Sequence, residues 1–435
     1  MSKLVFTKEM KKDYTILVPT MLPIHFNMII SILKNYGYKV EQLDPADFST
    51  VDFGLKYVHN DICYPAIVVI AQLIEAVESG KYDTDKIALM ITQTGGGCRA
   101  SNYLSLLKKA LKKAGYGHIP VISVSLALNK LDEAIKLKFT PGMLLKVAYA
   151  ILYADLIMLL KNQCLPYEIN KGETEKTVSE ISKELSDELC RLKVPTYKRV
   201  KENYKKILSR FSEIPLKRTD KPKVGIVGEI FVKYSSVGNN QLEEFLNKEG
   251  AEVVMPGLFG FLLYCVANQF IDFELYGMNK IKAKIIKKIY NLLINKENDV
   301  IKIMKNGFPE FTPQSSFEES RKLIKGYISP GVKMGEGWLL TAEMLELIHS
   351  GVKNIICVQP FGCLPNHICG KGMMKTIKEK NKNVNIVAVD YDPGASRVNQ
   401  ENRIKLMLSN AKKTIQTTVQ TNENNSEVKK EVSFA

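Results

Sequence analysis

No Cys-x-x-Cys pair occurs anywhere in the 435 residues. Zinc-ribbon and thioredoxin-like readings therefore lose their main support. A Walker A sequence is also missing, so ATP binding through a phosphate loop is not expected. The nearest thing to a dinucleotide fingerprint is "GIVGE" (225–229), which lacks the third glycine and its spacing. The N-terminal stretch "MSKLVFTKEMKKDYTILVP" has no apolar signal core and no small-residue cleavage site, which makes the cytoplasm the expected compartment. The longest apolar stretch, Met143 to Leu160, carries Lys146 and Asp155 and is short for a bilayer span. It reads as a buried amphipathic helix, and no membrane partner is expected. No basic patch is interleaved with aromatic residues, so nucleic acid is not an expected partner either.

What is present is the composition of a globular protein long enough for two or three domains. Lys and Arg exceed Asp and Glu by 61 to 46, a net charge of +15. That excess suits a partner or substrate carrying phosphates or carboxylates. It equally suits a chain simply rich in Lys, Ile and Asn. The densest lysines lie between Asn279 and Lys305, where Ile281, Ile285, Ile289, Leu292 and Leu293 form an apolar helical stripe. The expectation is that this stripe packs inward and the lysines form its solvated face.

Short apolar strands alternate with amphipathic helices along both halves. In the first half "YTILVP", "YKVEQL", "KIALMIT" and "IPVISVSL" read as strands. In the second half "KVGIVGEI", "AEVVMP", "VKNIICVQ" and "VNIVAVD" do so. This pattern predicts an α/β protein with two Rossmann-like parallel-sheet domains related by an internal repeat. The expected divisions are a first domain over 1–160, a helical connector over 161–221 and a second domain over 222–411. A helical insertion is expected at 259–325, and a disordered polar tail at 412–435.

The eight cysteines are the most informative residues. "VQPFGCLPNH" and "ITQTGGGCRASN" each end a strand-like run in glycine and cysteine, then open a helix. In the repeat register Cys98 and Cys363 are equivalent, both following the third strand of their half. Cys63, in "NDICYPA", opens the second helix of the first half. Its counterpart, "MGEGW" (334–338), has no cysteine. Ligands in open parallel sheets bind beyond the carboxyl ends of the strands, where all three thiols fall. Helix N-termini favour thiolate over thiol, and the glycines allow close backbone approach. Three convergent thiolates without a sequence-local fourth suit an iron–sulfur cluster with one open iron. Zinc is the rival, with His367, His25 or His59 as fourth ligand. Cys369 is the best fourth ligand within the chain. Cys164, Cys190, Cys265 and Cys357 read as packing residues. Glu229, Tyr234 and Asn239 in the 227–240 loop are candidate pocket residues. Ser396 or Asp392 is a candidate cap for the last helix, where Arg397, Asn399 and Arg403 could reach a ligand.

The motifs "DICYPA", "TQTGGGCRASNY", "VGEIFVKY…GNN", "GEGW", "VQPFGCLPNHICGKG" and "DYDPGASRVNQENR" together resemble the 2-hydroxyacyl-CoA dehydratase superfamily. Within it they are most similar to the acyl-CoA dehydratase activase-related proteins. The resemblance runs from about Tyr14 to Lys412. It implies Rossmann-like domains that hold a cluster, commonly 4Fe-4S, through Cys63, Cys98 and Cys363. It further implies an ATP-dependent activase that delivers a low-potential electron, and a ketyl-radical dehydration of a 2-hydroxyacyl-CoA. True dehydratases pair two different subunits, so a homo- or heterodimer is an expected assembly; some superfamily members hold double-cubane clusters and reduce small molecules instead. The expected function is that of an oxygen-sensitive iron–sulfur protein, a lyase acting on an acyl-CoA. The alternatives are a non-catalytic electron-transfer or activase-docking module and a zinc-stabilised structural protein.

Overall fold

A computed structural model of the chain describes residues 6–44, 49–93, 97–125, 140–191, 193–277 and 280–432. In the last helix side chains are described through Thr414 and at Gln416. Thr94, Gly95 and Gly96, part of the glycine turn before Cys98, lie outside the described residues, as do 126–139.

Two four-stranded parallel sheets organise the chain. The first contains β1 (Thr15–Val18), β2 (Lys39–Gln42), β3 (Ile87–Gln93) and β4 (Val121–Ser125) in the order β2-β1-β3-β4. The second contains β5 (Lys223–Gly228), β6 (Glu252–Val254), β7 (Asn354–Pro360) and β8 (Asn385–Tyr391) in the order β6-β5-β7-β8. The two orders are the same, so the expected repeat of Rossmann-like halves is present. The central strands are almost wholly apolar because both faces of each sheet are covered. Register follows from this burial: β3 runs beside β4 with Leu89 opposite Val121, and β5 runs beside β7 with Val227 opposite Cys357.

Proline and short polar side chains set the helix starts. Pro23, Pro65 and Pro141 stand in the first turn of their helices, where a missing N–H costs nothing. Thr140, Thr196 and Ser316 accept hydrogen bonds from the third residue of the helices they precede. The connector consists of the helices Glu173–Arg191 and Tyr197–Ser212. The insertion consists of Leu258–Tyr276, Lys280–Gly307 and Phe317–Leu323.

Helix Pro141–Cys164 differs from its sequence reading. It is buried over more than one face along most of its length, and Leu144 near its start is exposed. Its length and hydropathy, like those of Leu258–Tyr276, would suffice to cross a bilayer, yet two thirds of its apolar window is buried in the protein. Its two charged residues are both accommodated. The Lys146 ammonium lies 5.5 Å from the centre of the Tyr36 ring. Asp155 accepts from Leu258 N–H (2.7 Å) and Phe259 N–H (2.8 Å), capping the helix that opens the insertion. Its carboxylate also pairs with His25 at 2.7 Å. One carboxylate therefore joins the first half, through His25, to the second.

Two other sequence readings are corrected. In Lys280–Gly307 the buried face is Ala283, Ile286, Tyr290 and Ile294, whereas Ile281, Ile285, Ile289 and Leu292 are exposed. Both stripes have helical spacing, and packing against Leu258–Tyr276 selects the one containing Tyr290. The last helix spans Arg397–Val432, so 412–432 is helical where an unstructured tail was expected. No Gly or Pro follows Gly394, and nothing in the sequence stops the helix near Lys412.

Candidate metal centre

The three cysteines stand at helix-opening turns, as their sequence positions imply. Cys63 has the extended backbone that precedes helix Tyr64–Glu78. Cys98 precedes a 3-10 turn, Arg99–Asn102, which leads into helix Tyr103–Lys113. Cys363 follows Gly362, whose φ of +71° lies in the left-handed region that a β-carbon disfavours. The chain then enters a π-helical turn, Asn366–Gly370, with His367 N–H donating to the Cys363 carbonyl at 3.1 Å. Single π turns recur at functional sites.

The halves meet at these turns. Tyr64 N–H donates to the Phe361 carbonyl at 3.0 Å, tying the residue after Cys63 to the turn before Cys363. A β-carbon at Gly362 would lie 3.0 Å from Cys63 Cα, so the two backbones touch. Cys98 adjoins the residues that follow Cys363 through Gly335. A β-carbon at Gly335 would lie 3.5 Å from Cys98 Sγ and 3.0 Å from Pro365 Cγ. One at Gly97 would overlap Met334 Sδ. The cysteine-free counterpart segment, 334–338, thus forms a wall against Cys98, and Cys63, Cys98 and the Cys363 turn converge between the two halves.

Burial dominates the electrostatics. The thiols of Cys63 and Cys363 are both pushed up by burial. At Cys63 a hydrogen bond from Tyr103 opposes that shift; at Cys363 the nearby charges of Glu336 and Glu229 add to it. The thiolate preference expected from helix N-termini is therefore outweighed by burial for these two. Cys63 Sγ and the Tyr103 hydroxyl are 3.3 Å apart. Beside them lie two buried carboxyls. Glu229 is pushed up to about 8, by burial first and by Glu336 second. Glu336 is raised as well, again by burial first. Each accepts a backbone N–H: Glu336 from Ile230 (2.7 Å) and Glu229 from Val232 (2.9 Å). Lys233 pairs with Glu343 at 2.7 Å and continues this polar layer inward.

Other candidates fall elsewhere. Asn239 is buried but used up: its amide donates to the Val232 and Lys233 carbonyls and accepts from Leu242 N–H. Tyr234 donates to the Pro256 carbonyl. Ser396 is exposed and adjoins the start of the last helix; Arg397 pairs with Glu401, and Arg403 with Asp390. His25 belongs to Asp155, and the His59 side chain is 76% exposed beside Asp61. Cys357 contacts Asn366, Cys190 bonds the Ser31 carbonyl, and Cys164 sits in the core. Cys369 is buried within the π turn that follows Cys363. Among the described residues, no three His, Cys, Asp or Glu side chains are grouped to hold a single metal ion.

No protein-family model matches the chain, and no curated protein matches it. Sequence reasoning did not single out Tyr103, Glu336 or Met334. Only "GEGW" hinted at Glu336, because two glycines around one acid mark a close backbone approach.

Proposed function

We propose that this chain is an iron–sulfur protein of the 2-hydroxyacyl-CoA dehydratase type. Cys63, Cys98 and Cys363 would hold a 4Fe-4S cluster in the cleft between the halves. An ATP-dependent activase would supply the electron, and the chemistry would be reductive or radical, on an acyl-CoA.

The observation that carries this reading is the meeting of two cysteine turns from opposite halves, sealed by the Tyr64–Phe361 hydrogen bond, with Cys98 against Gly335. The donor set fits. Burial holds Cys63 and Cys363 protonated, and iron would supply the positive charge that lets buried thiols ionise. Gly335 brings backbone close to the Cys98 sulfur, and Gly362 lets the Cys363 turn lie against the Cys63 backbone. When bound, the cluster supplies a one-electron redox centre. The chain's own residues would do the rest. The Tyr103 hydroxyl would donate to Cys63 sulfur. Glu229 and Glu336 would stand beside the site with their carboxyl pKa values raised by burial. Phe361, Leu364 and Ile368, exposed on the turn that carries Cys363, offer an apolar rim for a docked electron donor.

The test is iron, sulfide and zinc analysis of protein purified without oxygen, followed by EPR after dithionite reduction. The expected result is about four iron and four sulfide per chain and a reducible signal. Cys98→Ala and Cys363→Ala should lose most of the iron, and Cys190→Ala should keep it. Zinc without sulfide, or equal iron in all three variants, would overturn the assignment.

A further inference from the structure

Helix Lys280–Gly307 has two apolar faces, and only one is covered. Ala283, Ile286, Tyr290 and Ile294 are buried. Ile281, Ile285, Ile289 and Leu292 are 74%, 56%, 47% and 55% exposed. At 3.6 residues per turn these four fall within an arc of about 80°. Lys284 and Lys288 border one side of that arc and Lys282 the other; all three are exposed. Leu275 and Tyr276, which end the preceding helix at the same end of this hairpin, are exposed too. One turn beyond Leu292 the same face is closed: Lys296 is buried with its ammonium 3.6 Å from the centre of the Tyr197 ring. The open stretch is thus the first three turns.

We propose that this stripe is a docking surface for an anionic phospholipid membrane, lying in the interface plane without spanning it. A narrow apolar ridge flanked by lysines matches what such a surface offers: acyl chains for the isoleucines and phosphates for the ammonium groups. The charge is complementary, since Lys280, Lys282, Lys284, Lys287 and Lys288 crowd nine residues; Lys287 also lies 3.9 Å from Glu274. A partner helix fits less well. Alternating steps of four and three from Ile281 would place Lys288 and Asn295 in the seam of a coiled coil. A second copy of the chain would bring like-charged lysine rows together. A bilayer tolerates both features.

The experiment is flotation of the full chain with mixed phosphatidylglycerol–phosphatidylcholine vesicles and with pure phosphatidylcholine vesicles. The chain should float with the anionic vesicles, weaken as salt is raised and stay behind with the neutral ones. Lys284→Glu with Lys288→Glu should reduce partitioning roughly tenfold or more. Ile285→Glu with Leu292→Glu should abolish it without changing the circular dichroism melt, since both side chains are exposed. The proposal is overturned by absence of flotation, by equal binding to both vesicle types, or by a dimer that Ile285→Glu dissociates. None of these outcomes depends on whether the cysteines hold a cluster.

Discussion

Gly362→Ala tests the contact between the two halves at the turn that carries Cys363. Two costs act there. The residue sits at φ +71°, and a β-carbon in that region costs about 1–2 kcal/mol. The added methyl would also lie 3.0 Å from Cys63 Cα and 3.2 Å from Cys63 N. Both are backbone atoms at a helix start, so no side-chain rotation relieves the overlap. The turn and the helix start must separate by a few tenths of an ångström, which strains the adjacent Tyr64–Phe361 hydrogen bond, worth about 1 kcal/mol. The sum is a loss of about 2–3 kcal/mol. Gly80→Ala is the control: its φ is +73°, and nothing lies within 4 Å of the β-carbon position. It incurs the backbone cost alone, and the reduced entropy of the unfolded chain is common to both variants. Urea midpoints of the two variants should therefore differ by about 1 kcal/mol or more, with Gly362→Ala the weaker. Thiol labelling of Cys63 should quicken in Gly362→Ala only. Equal stability and equal labelling would refute the contact between the halves at this turn, and the shared centre with it.

Two further outcomes are expected. Glu229 has a folded-state pKa of about 8, above its ordinary value of 4.5. The folded protein therefore binds a proton that the unfolded chain releases between those values, and stability falls as pH rises through that window. Urea midpoints should drop from about pH 5.5 to about pH 8.5, and Glu229→Gln, which keeps an acceptor for Val232 N–H, should flatten that slope. An unchanged slope in the variant would show that Glu229 is ionised throughout. Tyr103→Phe removes the hydroxyl 3.3 Å from Cys63 Sγ. In cluster-loaded protein, redox titration should show a potential lower by roughly 40 mV, the one-electron equivalent of about 1 kcal/mol; an unmoved potential would place Tyr103 outside the centre.

Much of the fold was legible because the signals are local. Runs such as "KIALMIT" and "KVGIVGEI" are too apolar for anything but strands buried on both faces, and the alternation with helices implies parallel pairing. The order of the two sheets repeats as the order of the segments does. Positions of Cys63, Cys98 and Cys363 at helix starts follow equally from glycine, proline and strand ends. Their contact does not follow, because Cys63 and the Cys363 turn are separated by about 300 residues, and periodicity carries no information across that distance.

The sequence by itself determined the repeating α/β plan and the position of the three cysteines at turns, since propensity, apolar pattern and turn chemistry act within a dozen residues. Only the tertiary structure decided which of two apolar stripes on Lys280–Gly307 is buried, because both have the same helical period and the choice belongs to the neighbouring helix. It alone decided that helix Pro141–Cys164 is largely enclosed by the protein, with Asp155 joining the halves. And it alone set Tyr103, Glu229 and Glu336 beside the thiols. The environment of those groups is the sum of distant segments brought together by burial, a quantity that no single stretch of sequence contains.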